Sequence, residues 1–252
     1  MANAVDTSPD AAGAPRTALN LAWGIAATIV SVLWTALLAP IAAFEAAMGW
    51  HRAVTEISRV WARAIIALCG VRVEIDGMEN LSGVGSFILV ANHKSFFDIF
   101  ALAAYCPGEP RFVAKRELLK IPFVGYAMQN SGHVIIHRQS GGKEIRKAVQ
   151  IIRRGYNLTV FAEGHRFNDN QVHEFSDGAA WLAILAKLPA VPVAISGSGA
   201  FMPRGAKVVN PGGTMRIAFG KPIPTAEMKS SDRTELTHRL EEQVRMMYLT
   251  EV

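Results

Sequence analysis

The stretch ILVANHKSFFDIFALAAY, residues Ile88–Tyr105, decides the fold. An apolar run ends at Asn92 and His93, and helical periodicity begins after Ser95, so the chain passes from strand to helix across a short turn. Ser95 followed three residues later by Asp98 has the form of a capping box, which places Asp98 in the first turn of the helix. On one continuous helix His93 and Asp98 would stand about 140° out of register. Across a strand-to-helix turn the imidazole can instead fold back onto the carboxylate. An Asp beside His Nδ1–H fixes the tautomer and supports the charge gained when the other nitrogen takes a proton. Such a pair brings no protein nucleophile. It suits a reaction in which the substrate's own hydroxyl loses its proton and attacks a carbonyl. A helix cap beside a polar turn residue would give the same spacing, so the neighbouring motifs must decide.

Outward from this stretch the chain alternates β-rich and helical segments. VRVEID, SFILVAN, RFVAK, HVIIHR, LTVFAE, AVPVAIS and TMRIAFG read as strands. FFDIFALAAYC, GKEIRKAVQIIRRG and DGAAWLAILAKL carry helical periodicity, and TAEMKSSDRTELTHRLEEQVRMMYL reads as a charged terminal helix. The pattern predicts an α/β domain over residues 71–252, with a mostly parallel sheet flanked by helices.

Before that domain the composition changes. Residues 1–18 are small and polar, with two prolines, and read as a disordered tail. From Thr17 to Phe44 no residue is charged. As a helix this run would extend about 42 Å, against roughly 30 Å of bilayer hydrocarbon. Pro40 should kink or end the helix near its last turn. A secretory signal fits poorly, because the run is long and only Arg16 stands before it, behind two acidic residues. Next, Val54, Ile57, Trp61, Ile65 and Leu68 form one stripe of an amphipathic helix, opposite Arg52, Glu56, Arg59 and Arg63. That helix suits either a membrane interface or the surface of the domain. Residues 19–70 are therefore expected to anchor the protein, either across the bilayer or in one leaflet.

Charge and cysteine usage narrow the chemistry. The 252 residues carry a net charge of +5, which suits anionic lipid headgroups or phosphorylated substrates. Cys69 and Cys106 lie far apart and form no CxxC, so a disulfide framework is not expected. There is no P-loop, no GxGxxG after a first strand, and no G-x-S-x-G, since Ile195–Gly199 reads ISGSG. His133 and His137 are four apart but sit in a β-branched run, where two rings on one strand face stand about 13 Å apart, too far for a shared zinc. The cationic runs lack interleaved aromatics, which argues against nucleic acid.

Three further blocks accompany the His–Asp pair. Arg111, Lys115, Arg116 and Lys120 precede an apolar segment broken by Pro122 and Gly125, and the following strand ends in Arg138. LTVFAEGHRF runs into a turn with Glu163, Gly164 and Arg166, where a glycine at positive φ can turn backbone N–H groups toward an anion and arginine offers a bidentate fork. LPAVPVAISG is an apolar strand with Pro189 and Pro192, suited to an acyl-chain wall. In this order the blocks resemble those of the 1-acylglycerol-3-phosphate acyltransferase family, within the lysophospholipid acyltransferases. The family's Asn-His-x-x-x-x-Asp is matched by Asn92, His93 and Asp98. Its Lys-x-Glu-Leu, Pro-x-x-Gly, Gly and closing Arg are matched by Lys115, Glu117, Leu118, Pro122, Gly125, Gly132 and Arg138.

The resemblance, from about Val71 to Lys221, implies a glycerol-3-phosphate acyltransferase-like fold. It implies acyl transfer from acyl-CoA or acyl-carrier protein to a lysolipid hydroxyl, most simply 1-acylglycerol-3-phosphate giving phosphatidic acid. His93 would be the general base and Asp98 its orienting partner. Lys115, Arg138, Glu163, Gly164 and Arg166 would line the substrate side. No metal or organic cofactor is implied. The enzyme would sit at the inner membrane among its lipids, with the site on the cytoplasmic face. The chain departs from the family at Phe-Pro-Glu-Gly-Thr-Arg-Ser, reading Phe161-Ala162-Glu163-Gly164-His165-Arg166-Phe167. It also has Asp177 near where the family often has Lys, which should make the site less positive, although His165 can restore charge if protonated. These departures keep two alternatives in view: another acceptor, such as a lyso-aminolipid or lysophosphodiester, and an inactive membrane lipid-binding protein.

Overall fold

The computed structural model describes residues 17–136 and 148–249. Seven strands form one sheet, in the order β1-β7-β6-β2-β5-β3-β4. They are β1 (Val71–Asp76), β2 (Ile88–Ala91), β3 (Pro110–Lys115), β4 (Val134–Ile136), β5 (Asn157–Phe161), β6 (Ala190–Ser196) and β7 (Gly213–Phe219). Each lies within, or starts one residue before, a run whose alternation or β-branched content predicts it. All neighbours pair parallel except β6 with β7. The helices are α1 (Ala18–Ala47), α2 (His51–Leu68), α3 (Phe97–Tyr105), α4 (Val124–Asn130), α5 (residues 148–152), α6 (Gly178–Ala186) and α7 (Arg233–Leu249).

The central strand shows why the sheet is covered on both faces. Every residue of β2 is buried, as expected of a strand in a parallel sheet between helix layers. Leu89 and Ala91 join Ala62, Ile65, Phe97, Ala101 and Leu102 on the α2–α3 side. Ile88 and Val90 join Ile151, Ala180, Ala183, Leu240 and Val244 on the other. α2 packs against α3 and the sheet. Arg59 donates to the carbonyls of Cys106 and Gly108, and Arg63 lies over the Tyr105 ring.

The sequence reading predicts no helix at α4, and packing and capping decide the boundaries of α1 and the terminal helix. α1 does not stop at Pro40 but continues to Ala47. Proline there removes a single N–H from the ladder, and the packing of Ala43 and Ala46 against Val54 and Ala127 holds the last two turns. The terminal helix starts at Arg233 rather than near Thr225. The Thr225 hydroxyl is drawn to the carbonyls of Ala183 and Leu188, and Asp232 accepts from the Lys229 N–H, so residues 225–232 serve as a connection and cap.

α1 lies against the domain along its length, small side inward. Gly24, Ala27, Ala39, Ala43 and Ala46 are buried, whereas Leu19, Ile29, Val32, Leu33, Leu37 and Phe44 are exposed. Gly24 sits so close to the Val209 carbonyl that a Cβ would collide with it. The Trp23 indole donates to the Leu68 carbonyl at 3.1 Å, the Val209 N–H to the Thr28 hydroxyl at 3.0 Å, and the Trp61 indole to the Thr35 hydroxyl at 2.8 Å. One end of α1 therefore meets the β6–β7 connection and the other meets α4, which follows β3. These elements lie on opposite sides of β2 in the sheet, so α1 runs across the strands rather than away from them. The apolar row it leaves outside is long enough to cross a membrane and is scarcely buried by protein.

Candidate active site

β2, β5 and β6 run parallel, so their carboxyl ends open on one side of the sheet, where α/β folds bind ligands. Asn92 makes the transition from β2. Its amide accepts from the Ile195 N–H at 2.8 Å and donates to the Ile195 carbonyl at 2.9 Å. The side chain thus continues the pairing to β6 while the backbone turns away and delivers His93.

His93 folds back as the turn allows. Its Nδ1 lies 2.8 Å from Asp98 Oδ2, and the same oxygen accepts from the backbone N–H groups of Lys94 at 2.7 Å and Ser95 at 2.8 Å. Asp98 is completely buried. The contact to Ser95 N–H is the expected half of the capping box. The Ser95 hydroxyl instead accepts from Phe97 N–H at 3.2 Å and donates to the Met202 carbonyl at 3.0 Å, which ties the β6–β7 connection to the turn. With Nδ1–H committed to the carboxylate, Nε2 of a neutral ring carries the free lone pair.

The ring is also held from below. Phe161, at the end of β5, stacks on His93 with centroids 4.0 Å apart and planes 17° apart. Phe161 stacks in turn on Phe112, and Phe112 on His133. His133 Nδ1 accepts the Phe112 N–H at 3.0 Å, and burial, reinforced by Arg111, pushes its pKa down to about 3. A neutral His133 thus ends the ladder as a flat ring, with one nitrogen spent on the backbone.

Lys94, next to His93 in the chain, centres a partly buried polar cluster. Lys94 is almost wholly enclosed and donates to the Gln171 carbonyl and to Asp169 at 3.3 Å, with the Glu163 carboxyl at 3.7 Å. Asp169 also pairs with His173 at 2.8 Å. The Arg166 guanidinium lies 3.9 Å above the Phe96 ring, near enough to Asp98 to feel its charge. Burial lowers its pKa, Asp98 opposes that shift, and the like charge of Arg204 adds to it. Arg204 reaches this place because Asn168 clamps its backbone, accepting the Arg204 N–H at 2.8 Å and donating to its carbonyl at 3.2 Å. Among the described residues neither arginine forms an ion pair with a carboxylate.

Residues 72–196 match the profile of the family described as Acyltransferase. The chain is 30% identical over 171 residues to the chloroplastic 1-acyl-sn-glycerol-3-phosphate acyltransferase BAT2 of Brassica napus, covering 66% of this chain and 49% of that protein. It is 29% identical over 200 residues to the 1-acyl-sn-glycerol-3-phosphate acyltransferase of Saccharomyces cerevisiae, covering 77% and 65%. The chain belongs to this acyltransferase family. It spans about half the length of the chloroplastic relatives it matches. In fold it is similar to the crystal structure of the 1-acyl-sn-glycerophosphate acyltransferase of Thermotoga maritima, with a TM-score of 0.79, 23% identity, and 92% and 97% of the two chains covered.

Against the resemblance to this acyltransferase family, the residues singled out in the sequence sort into three groups. His93, Asp98, Glu163, Gly164 and Arg166 meet around the ends of β2 and β5. Lys115 is exposed at the end of β3, two strands from β2, and Arg138 lies outside the described residues. Gly164 has a φ of 72°, as its position in the turn requires, but its N–H closes that turn onto the Phe161 carbonyl instead of facing an anion. Phe167, where the resemblance would have serine, is packed between His165 and His173, with centroids at 4.2 and 3.5 Å. Asp177 is turned away from the dyad, taking the Thr234 hydroxyl at 3.0 Å and pairing with Arg233 at the start of α7. Its charge is therefore already answered by Thr234 and Arg233. Lys94, Phe161 and Arg204 are the residues that sequence reasoning missed.

Glu163 has a measurable signature. Its side chain is fully buried and lies near the N–H groups of His173 and His93 without closing a hydrogen bond to either. Burial raises its pKa from 4.5 to about 7, against the pull of Lys94. Between those values the folded protein keeps a proton that the unfolded chain has released, so stability falls as pH rises through the window. The full loss is at most about 3 kcal/mol. Glu163→Gln should flatten the fall between about pH 4.5 and pH 7 in urea unfolding. An identical pH slope in the variant would move the titration to another group.

Proposed function

We propose that this chain transfers a fatty acyl group from acyl-CoA or acyl-carrier protein to the free hydroxyl of 1-acylglycerol-3-phosphate, giving phosphatidic acid. The observation that carries the reading is a His–Asp pair whose Nε2 is uncommitted, with Arg166 close enough to Asp98 and Arg204 to feel both charges and, among the described residues, neither arginine paired with a carboxylate. His93 Nε2 removes the proton as the hydroxyl oxygen attacks the thioester carbonyl. The tetrahedral intermediate collapses with cleavage of the C–S bond, and His93 returns the proton to the departing thiolate. Asp98 balances the transient imidazolium, and the Phe161 platform keeps the ring from swinging away. Arg166 and Arg204 hold the phosphate monoester. Glu163 acts from behind, through Lys94 and the backbone of the turn.

The membrane geometry follows from α1. A helix fastened along its length to the domain cannot stand upright in a bilayer without drawing the charged domain in after it. Its outward apolar row therefore lies along one leaflet, beside the open ends of the strands, where a lysolipid already resides. Acyl thioesters are cytoplasmic compounds, so the proposed site faces the cytoplasm at the inner membrane. The test is mass spectrometry of lipids formed by the purified protein in lipid micelles from a panel of lysolipids and both thioester donors. Phosphatidic acid should dominate. Acylation of neutral or zwitterionic lysolipids alone would reject the acceptor, and no product from any pair would reject the enzyme.

A further inference from the structure

The connection from β3 into α4 is a second patch of exposed apolar surface that neither the core nor the catalytic chemistry uses. Arg116–Lys120 forms a 3-10 turn in which no residue is buried, followed by Ile121, Pro122 and Phe123. Ile121, Phe123 and Tyr126 are 44%, 54% and 50% exposed. Phe123 has φ 59° and ψ −46°, a conformation that side chains other than glycine rarely adopt. It does not arise from slack. Gly125 backs directly onto the Leu119 backbone, Gly125 N–H bonds the Ile121 carbonyl at 2.9 Å, and Ala127 N–H bonds the Phe123 carbonyl at 2.8 Å. A rigid turn is thus strained in order to hold an aromatic ring outward, where water gives it nothing in return.

Its neighbours identify what the ring meets. Ala127, on the inner side of α4, packs against Ala43 and Ala46 of α1 and Val54 of α2. At that corner Phe44, Met48 and Trp50 are also more than half exposed, with the Phe44 and Trp50 rings in edge contact. The apolar tip therefore continues the outward row of α1. It stands at the end of β3, on the same side of the sheet as His93. Lys115, Arg116 and Lys120 border it against one carboxylate, Glu117, and all four are exposed. Long cationic side chains beside protruding apolar ones suit the boundary between anionic headgroups and acyl chains.

We infer that residues 116–126 form a second membrane-contact element, with Ile121, Phe123 and Tyr126 seated in the leaflet that holds α1 and with Arg116 and Lys120 on anionic headgroups. The inference rests on the reading of α1 as leaflet-embedded. Two contacts on either side of a packed corner fix how the domain tilts, and so hold the open strand ends toward the lipid surface.

The test uses the full chain in phosphatidylcholine vesicles containing phosphatidylglycerol, spin-labelled at Phe123→Cys, Val30→Cys on the outer row of α1, or Glu235→Cys on α7. Cys69 and Cys106 are both buried, which leaves the introduced thiol to take the label. The label at 123 should behave as the one at 30 does, relaxed by dissolved oxygen and shielded from a water-borne nickel chelate, with 235 the reverse. A label at 123 that follows 235 while 30 stays shielded overturns the proposal alone. If 30 is also wet, the leaflet reading of α1 falls and takes this one with it. Ile121→Cys supplies the same measurement if the strained position does not accept cysteine. Arg116→Gln and Lys120→Gln should each shift the protein about fivefold toward pure phosphatidylcholine when two vesicle populations compete. An unchanged distribution, combined with slower transfer from acyl-carrier protein, would assign the cations to an acidic protein and overturn the membrane contact.

Discussion

His93→Ala is expected to abolish acyl transfer, lowering kcat/KM by about 10² to 10⁴ while leaving the fold intact. His93 is partly exposed at the mouth of the site, and its loss opens no core cavity; the structural burden of the turn falls on Asn92, Ser95 and Asp98. Asp98→Asn should cost a similar factor for a different reason. One oxygen of Asp98 takes three contacts, from His93 Nδ1 and two backbone N–H groups. An amide placed there must either turn its NH₂ toward those donors or keep its oxygen and lose the charge that steadies the imidazolium. The two variants therefore separate. His93→Ala should unfold near the wild-type midpoint, whereas Asp98→Asn should lose stability as well, because a buried acceptor is weakened. Initial rates with thioester and lysolipid, measured beside thermal unfolding, distinguish them. Wild-type turnover in folded His93→Ala would sink the general-base mechanism whatever the family resemblance.

What could be read in advance follows from how far each interaction reaches along the chain. The strands were legible because burial on a sheet leaves a local mark, and Ile88–Ala91 or Ala190–Ser196 carry it in adjacent residues. The His93–Asp98 contact was legible for the same reason, being closed within five residues by a turn that Ser95 announces. Lys94 was not. Its partners Asp169 and Gln171 lie on another loop, and nothing in the residues around Lys94 distinguishes it from a surface lysine. Arg204 was hidden likewise, since it reaches Arg166 only through the Asn168 clamp. The partners of Asp177 were hidden too, since Thr234 and Arg233 lie more than fifty residues away along the chain. Of the two outcomes open at Pro40, the helix does not end there, because the packing of Ala43 and Ala46 offsets the lost N–H.

Removing both Arg166 and Arg204 should reverse the preference for a phosphate monoester. Each charge-assisted contact to phosphate contributes about 1.5 to 3 kcal/mol, so Arg166→Ala should raise KM for 1-acylglycerol-3-phosphate at least about tenfold. Arg204 is more exposed, and solvent screening makes its single effect smaller. Two cations on one dianion are not independent, however, because either can hold the phosphate when the other is gone. The double variant should therefore lose more than the product of the singles, and a double-mutant cycle reads that coupling. A lysophosphodiester carries less charge, so its kcat/KM should fall less, and the ratio between acceptors should move toward the diester. Arg204→Lys tests whether charge or the planar fork matters, because lysine restores only the former. Asp177→Lys serves as the contrasting change: its carboxylate is bound to the start of α7, so acceptor preference should stay constant while the Thr234 and Arg233 contacts are lost and stability declines. If Asp177→Lys shifts the acceptor ratio and the arginine pair does not, the headgroup lies on the α7 side, and the two arginines serve the loops that carry them.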